Sequence, residues 1–247
     1  MVNKRFWEID SLRGIAIILM VVSNLATDVG YFGIWSINTY SGFWLYLARA
    51  VVSMFILLAG ISLTLSYSRV RNKKPMEIHK KYLLRGTKIF GLGMVITLVT
   101  WVFLKEDFIL FGVLHLIGVS IILGHLLLKH PRVSLLLGIS FLILGIYLQT
   151  MAFDFPWLVW LGFRPEGFYS VDYVPVLPWF GVFLTGMFLG NKFYPEGKRI
   201  FKLRDFSGSK LFALLSFLGR NSLKIYFIHQ PVLIMTLWIS FPQNFFF

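Results

Sequence analysis

The sequence of 247 residues contains no cysteine. Disulfides, thiolate metal sites and cysteine nucleophiles are therefore excluded. Acidic residues are scarce too, with 11 Asp and Glu against 24 Lys and Arg. Charged residues of both signs make up only 14% of the chain, while 57% is hydrophobic and the mean hydropathy is +0.74. Soluble domains lie nearer about 45–50% apolar. In water this chain would expose more apolar surface than it could bury. A basic balance points either to nucleic acid or to an anionic lipid surface. Here the basic residues sit in short clusters between apolar stretches, which selects membrane lipids as the partner and argues against nucleic acid. The five histidines show no ligand spacing, so no metal site is expected.

Apolar stretches long enough to cross about 30 Å of hydrocarbon fall at 12–31, 43–67, 83–104, 108–128, 133–151, 173–191 and 221–241. The expected fold is all-α, a polytopic membrane helix bundle of about seven transmembrane helices in a single domain over 1–247. The first stretch is long for a signal h-region and carries polar residues, so it reads as a retained span. Orientation follows from counting. With alternating spans, segments 1–10, 68–81, 129–132 and 192–210 share one side and carry sixteen Lys and Arg. The opposite loops carry two, Lys105 and Arg164. The positive-inside rule makes the basic side and the N-terminus cytoplasmic, with the cell membrane as the expected location.

Ionisable groups inside a bilayer are costly and usually face the protein interior or a wet cavity. Helix rise places Asn24, Arg49 and His115, on three different spans, about 10 Å below the outer face. Asp28 and Asp172 sit nearer the outer rim, and His229 lies near the middle of the last span. On span 1, Asp10, Arg13, Asn24 and Asp28 share one stripe, since five helical turns separate Asp10 from Asp28. One helix thus carries a charged pair at its cytoplasmic end and a polar pair at its outer end. That layout suits a transmembrane reaction or a transport path.

His115, flanked by Gly112 and Gly118, takes up a proton near neutral pH and is the general-base candidate. Plainer readings stand beside these. His115 is otherwise an interhelical hydrogen-bond partner, Arg49 a side chain reaching the head groups, and Asp28 and Asp172 interfacial carboxylates. Asp10 and Arg13 are otherwise a helix-end ion pair. His229 precedes Gln230 and Pro231, and the proline frees the carbonyl of Phe227, which His229 would then satisfy. The shared depth of Asn24, Arg49 and His115 favours a joint site. At the cytoplasmic face, topology alone accounts for Arg13, Arg85, Lys88, Arg220 and Lys224. Gly219-Arg220-Asn221-Ser222 is more pointed, because a helix start beside a guanidinium suits a phosphate.

Four segments run in order along nearly the whole chain: Glu8-Ile9-Asp10-Ser11-Leu12-Arg13-Gly14, Phe111-Gly112-Val113-Leu114-His115, Pro175-Val176-Leu177-Pro178-Trp179 and Gly219-Arg220-Asn221-Ser222 through His229-Gln230-Pro231. On these the chain resembles the transmembrane acyltransferases related to heparan-α-glucosaminide N-acetyltransferase. The resemblance implies an acetyl-CoA donor bound from the cytoplasm and an amino-sugar or other glycan acceptor bound from the opposite side. Arg13, Arg85, Lys88, Arg220, Asn221 and Lys224 would then hold the CoA thioester. Asn24 matches the asparagine that follows the Asp-x-x-Arg-Gly motif in that family. The expected catalytic set is His115, Asn24 and Asp28, with Arg49, Asp172, Trp179 and His229 on the acceptor. One departure stands out. The heparan enzyme's proposed catalytic histidine lies in the loop after span 1, whereas Phe32 to Gly42 here contains Trp35 and Asn38 but no histidine. Either His115 takes that role or the chemistry differs.

The competing expectation is a small-molecule or lipid transporter or flippase that uses the same polar path without covalent chemistry. A membrane scaffold is a third. Residues 152–172 are rich in aromatics, which form either an interfacial belt or a platform for sugars. Gly186-x-x-x-Gly190 is a helix-contact motif, within the chain or across a homodimer.

Overall fold

The computed structural model describes residues 5–105 and 107–245; Lys4, counted above on the basic side, lies outside them. Among the described residues there are eight α-helices and no β-strand: α1 Trp7–Tyr31, α2 Gly42–Ser68, α3 Pro75–Leu104, α4 Val113–Gly124, α5 Pro131–Leu148, α6 Val176–Phe193, α7 Lys210–Arg220 and α8 Ser222–Ser240. Proline opens α3 and α5, where its fixed φ suits a first turn and its missing N–H removes nothing. Every apolar stretch expected to span contains a helix, although 108–128 is helical only from Val113. Five of them, α1, α2, α3, α5 and α8, are long and apolar enough to cross a membrane. Of the other two, α4 is only 12 residues and runs into a 3-10 turn at His125–Leu127, and α6 ends on Asn191 and Lys192. The eighth helix, α7, was not expected. At 11 residues it is too short to register in a search for membrane-length runs.

The chain divides into two compact units, Met1–Phe55 with Leu203–Phe247 and Ile56–Lys202. In the first, the N-terminal half of α1 lies against α7. Gly14 faces the carbonyl of Leu215 and Gly219 faces the carbonyl of Asp10, so neither position has room for a Cβ. Ser11 and Ser216 exchange a buried hydroxyl hydrogen bond of 3.0 Å across the same seam. Further along α1, Ile17 and Met20 bury against Val51 of α2, with Ile225 and Tyr226 of α8 packed on them. The C-terminal segment closes on the far end of α1, where Asn244 donates to the carbonyl of Phe32 at 3.2 Å and Phe245 stacks on its ring.

In the second unit the helix pairs are again built on glycine. Gly86 of α3 meets Gly118 of α4, and Gly138 of α5 meets Gly181 of α6. Gly186 and Gly190 face Leu57 and Ile61 of α2, while Gly60 faces the backbone of Phe183. The Gly-x-x-x-Gly motif is therefore used inside the chain, and it no longer speaks for a homodimer. Between apolar helices in lipid no hydrophobic drive remains, so close backbone approach through small residues supplies the attraction. Gly181→Val is accordingly expected to cost about 1–3 kcal/mol, because a Cβ there would stand 2.6 Å from the Gly138 carbonyl oxygen. Thermal unfolding in detergent checks this, and an unchanged Tm would contradict it.

At the α2–α3 turn, the Arg71 guanidinium donates to Glu196 at 2.6 Å and holds that carboxyl below its ordinary range. Both side chains are exposed, so the pair adds little to stability.

Candidate functional site

In the first unit, polar side chains of α1 and α8 meet at two successive rungs. Asn24 Nδ2 lies 3.1 Å from His229 Nε2. His229 Nδ1 lies 2.7 Å from the carbonyl oxygen of Tyr226. A carbonyl only accepts, so Nδ1 carries the proton and Nε2 the lone pair, which receives an N–H of Asn24. One rung further, Gln230 Nε2 donates to Asp28 Oδ1 at 2.7 Å. Asp28 is only 7% exposed, and its Oδ2 has no hydrogen-bond partner among the described residues. The carbonyl that Pro231 frees belongs to Phe227, whereas His229 engages that of Tyr226. Its ring is turned toward α1 rather than spent on the kink.

The shared-depth expectation gave heights and no partners; the contacts within each unit supply them. Asn24 pairs with His229, Arg49 is exposed with only its carbonyl engaged by Ser53, and the bonds of His115 all lie within the second unit. Helix rise gives a residue's height, but not its azimuth or its neighbour. Gln230 was named in the last motif but given no role. A signal existed, because polar residues inside apolar helices usually pair with one another: His229-Gln230 on the last span had to meet some polar stripe, and span 1 carries one.

At the other end of the same unit, the Gly14–Leu215 and Gly219–Asp10 approaches bring the Asp10-to-Gly14 and Gly219-to-Ser222 motifs together. Arg13 pairs with Asp10 at 3.5 Å. Arg220 ends α7 and Lys224 lies in the first turn of α8, both exposed. Asn221 sits between the two helices and donates to the carbonyl of Phe217 at 2.9 Å, closing α7. No side chain caps α8, so its first N–H groups remain open to an anion.

His115 in the second unit is spoken for on both ring nitrogens. The Gly112 N–H donates to Nδ1 at 3.1 Å. Nε2 therefore carries the proton and donates to Thr97 Oγ1 at 3.2 Å, and Thr97 passes its own hydroxyl to the carbonyl of Ile109 at 2.7 Å. The ring is 2% exposed, between Phe111 and Phe90. As the third residue of α4 reaching back to the N-cap backbone, it closes the helix start in the manner of a capping box. The carboxylate of Asp172 lies over Gly112, where a Cβ would stand 2.6 Å from Oδ2, and its negative charge suits that helix N-terminus. His115→Ala is expected to lower stability by about 1–3 kcal/mol, read as a fall in Tm with the stabilisation by CoA retained. An unchanged Tm would rule out the capping role.

Beside this cap, Phe90, Phe111, Trp157 and Trp160 line an open apolar pocket of about 480 Å³. The loop aromatics also pack on one another, Phe155 stacking on Trp157 and lying 6.1 Å from Phe163. Trp179 is half-buried in α6, and Arg85 and Lys88 are exposed on α3.

Among family models, the one described as "Heparan-alpha-glucosaminide N-acetyltransferase, catalytic" matches residues 5–231. Comparisons with curated proteins and with solved structures returned no match. The matched span takes in both glycine-paired motifs, the Asn24–His229 and Asp28–Gln230 rungs, and His115. The chain therefore belongs to the heparan-alpha-glucosaminide N-acetyltransferase catalytic family, a family of integral-membrane acyltransferases.

Proposed function

We propose that the protein transfers an acetyl group from cytoplasmic acetyl-CoA to an amino sugar or other glycan acceptor on the outer side of the membrane. The observation that carries this reading is the Asn24–His229 pair. It combines a neutral imidazole, its Nδ1–H anchored on a backbone carbonyl, with an amide donor at its one lone pair.

Family membership supplies the reaction class, and the pair supplies groups suited to it. As the acceptor enters, the Asn24 N–H leaves the Nε2 lone pair, and His229 Nε2 takes the proton of the acceptor as its nitrogen or oxygen attacks the thioester carbonyl. Asn24 has two amide hydrogens. One reaches His229, and the other is free to stabilise the oxyanion as charge develops. When the tetrahedral intermediate collapses, the imidazolium returns the proton to the departing sulfur of CoA. The base role assigned to His115 from sequence thus passes to His229, while His115 holds the start of α4. Asp172 acts with His115 at that helix start rather than on the acceptor.

For the donor, Arg13, Arg220 and Lys224, with the uncapped start of α8 after Asn221, suit the phosphates of CoA. Arg85 and Lys88 extend the basic cytoplasmic face within their own unit. In the second unit, the aromatic pocket beside Trp160 is a surface on which a sugar ring can stack, while Trp179 lies outside its lining. Arg49, exposed on α2, is available to an anionic group of the acceptor.

The test is transfer of radiolabel from acetyl-CoA to glucosamine by the purified protein, with release of free thiol. No transfer above the His229→Ala control would remove the assignment.

A further inference from the structure

Asp28 is a buried carboxylate within the apolar length of α1, and the acetyl-transfer steps above leave its environment unexplained. It is 7% exposed, Oδ1 accepts from Gln230, and Oδ2 is buried without a partner among the described residues. A buried carboxylate oxygen with no donor is expensive, and inside a membrane helix it has no water to turn to. Among the described residues no lysine or arginine pairs with it. The stretches 14–31 of α1 and 225–240 of α8 contain none, and Arg49 on α2 is exposed. The side chains on the adjoining rung, Asn24 and His229, are neutral and engaged with each other. The position is built for a donor that carries positive charge and comes from outside the chain.

We infer that Asp28 Oδ2 binds the acceptor as its ammonium ion and takes the first of the two protons that the amine must lose. This rests on the acetyl-transfer reading for its reaction and adds a residue and a division of labour to it. The His229 ring offers one lone pair, so it accounts for one proton. An amine near neutral pH arrives largely as R–NH3⁺, since amines of this kind titrate at about 7.7–8.0, and it is no nucleophile until a proton leaves. The balance closes with two bases. R–NH3⁺ gives one proton to Asp28 and becomes R–NH2. The nitrogen forms its bond to the acetyl carbon, and the second proton passes to His229 Nε2. The C–S bond breaks, His229 returns that proton to sulfur, and free CoA thiol departs with the amide formed. Asp28 then releases the first proton to solvent. A hydroxyl acceptor loses a single proton and has no use for the second base, so Asp28 sets a preference for amines over alcohols.

Asp28→Asn keeps an oxygen for Gln230 and removes the charge. The measurement compares kcat/KM for glucosamine with that for an aminooxy sugar of the same ring, a nucleophile that is uncharged at pH 7. The variant is expected to lose about 10- to 100-fold more on glucosamine than on the aminooxy sugar, the worth of one charge-assisted hydrogen bond. Equal losses on both, or no loss on glucosamine, would overturn the inference. A second measurement needs neither the variant nor acetyl-CoA. Glucosamine should raise the Tm of the wild-type protein more than the aminooxy sugar at the same concentration, and equal stabilisation would overturn the inference even if Asp28→Asn does not fold. Failure of acetyl transfer itself is read separately, as absence of thiol release from acetyl-CoA with any acceptor.

Discussion

Replacing His229 by alanine is expected to lower kcat for acetyl transfer by about 100- to 10,000-fold, the usual span for removing a positioned general base. The reason lies in the tautomer. With Nδ1–H committed to the Tyr226 carbonyl, Nε2 is the only basic atom of the ring, and it points at α1. His229→Gln should lose as much, because an amide has the hydrogen bonds but not the basicity. Asn24→Ala is expected to cost about 100- to 1,000-fold in kcat through loss of the oxyanion donor. His115→Ala is the matched comparison. It should lower Tm through the α4 cap and leave transfer well above the His229 variant. Turnover and thermal unfolding measured on the three purified variants distinguish these roles. A His229 variant that turns over within a few-fold of wild type, with His115→Ala inactive but stable, would reverse the assignment.

The second large effect is expected at the α1–α7 seam. Gly219→Val places side-chain atoms where the Asp10 carbonyl lies, with the carbonyl carbon of Asp10 only 2.8 Å from an added Cβ. Backbone on both sides must shift, at about 1–3 kcal/mol or more. The consequence is functional as well as structural. The same crossing sets Arg13 and Asp10 against the Arg220–Asn221 junction, so parting the helices disperses the groups assigned to CoA. Saturating CoA at about 100 times its Kd should stabilise the wild-type protein by about 2.7 kcal/mol, and this stabilisation is expected to vanish in Gly219→Val. Thermal unfolding with and without CoA measures both effects at once. A variant that unfolds earlier but keeps the full stabilisation by CoA would uncouple the seam from the donor site.

The two effects complement each other along one helix. The N-terminal half of α1 is held to α7 by glycine and serine, while its C-terminal half presents Asn24 and Asp28 to α8. The inner groups lie about 15 Å or more from the outer ones along the axis, given the rise per residue. A donor held by its phosphates at one end and reacting near the other must therefore be an elongated molecule, as a CoA thioester is.

Much of this was readable from composition and order. A bilayer demands about twenty apolar residues per crossing; all seven stretches picked on that ground contain a helix, and five of the helices are long and apolar enough to cross. The membrane class follows from hydropathy, and the four ordered motifs pointed to the family that the match over residues 5–231 shows. The α7 helix escaped because an 11-residue amphipathic segment carries no such length signal. Asn24 and His229 each stood out as polar residues in apolar spans, but their pairing did not. Height along a helix follows from counting residues, whereas the neighbour it meets depends on how helices rotate and cross. That is why Asn24 and His115 could be given one height from sequence but not their hydrogen-bond partners, His229 for the one and Gly112 and Thr97 for the other, and why Gly186-x-x-x-Gly190 announced a helix contact without saying that α2 would supply it. Sequence alone determined which residues had to leave water and which motifs the family shares. Only the tertiary structure decided which polar atoms meet, because hydrogen bonds are made over about 3 Å and no one-dimensional pattern specifies packing that closely.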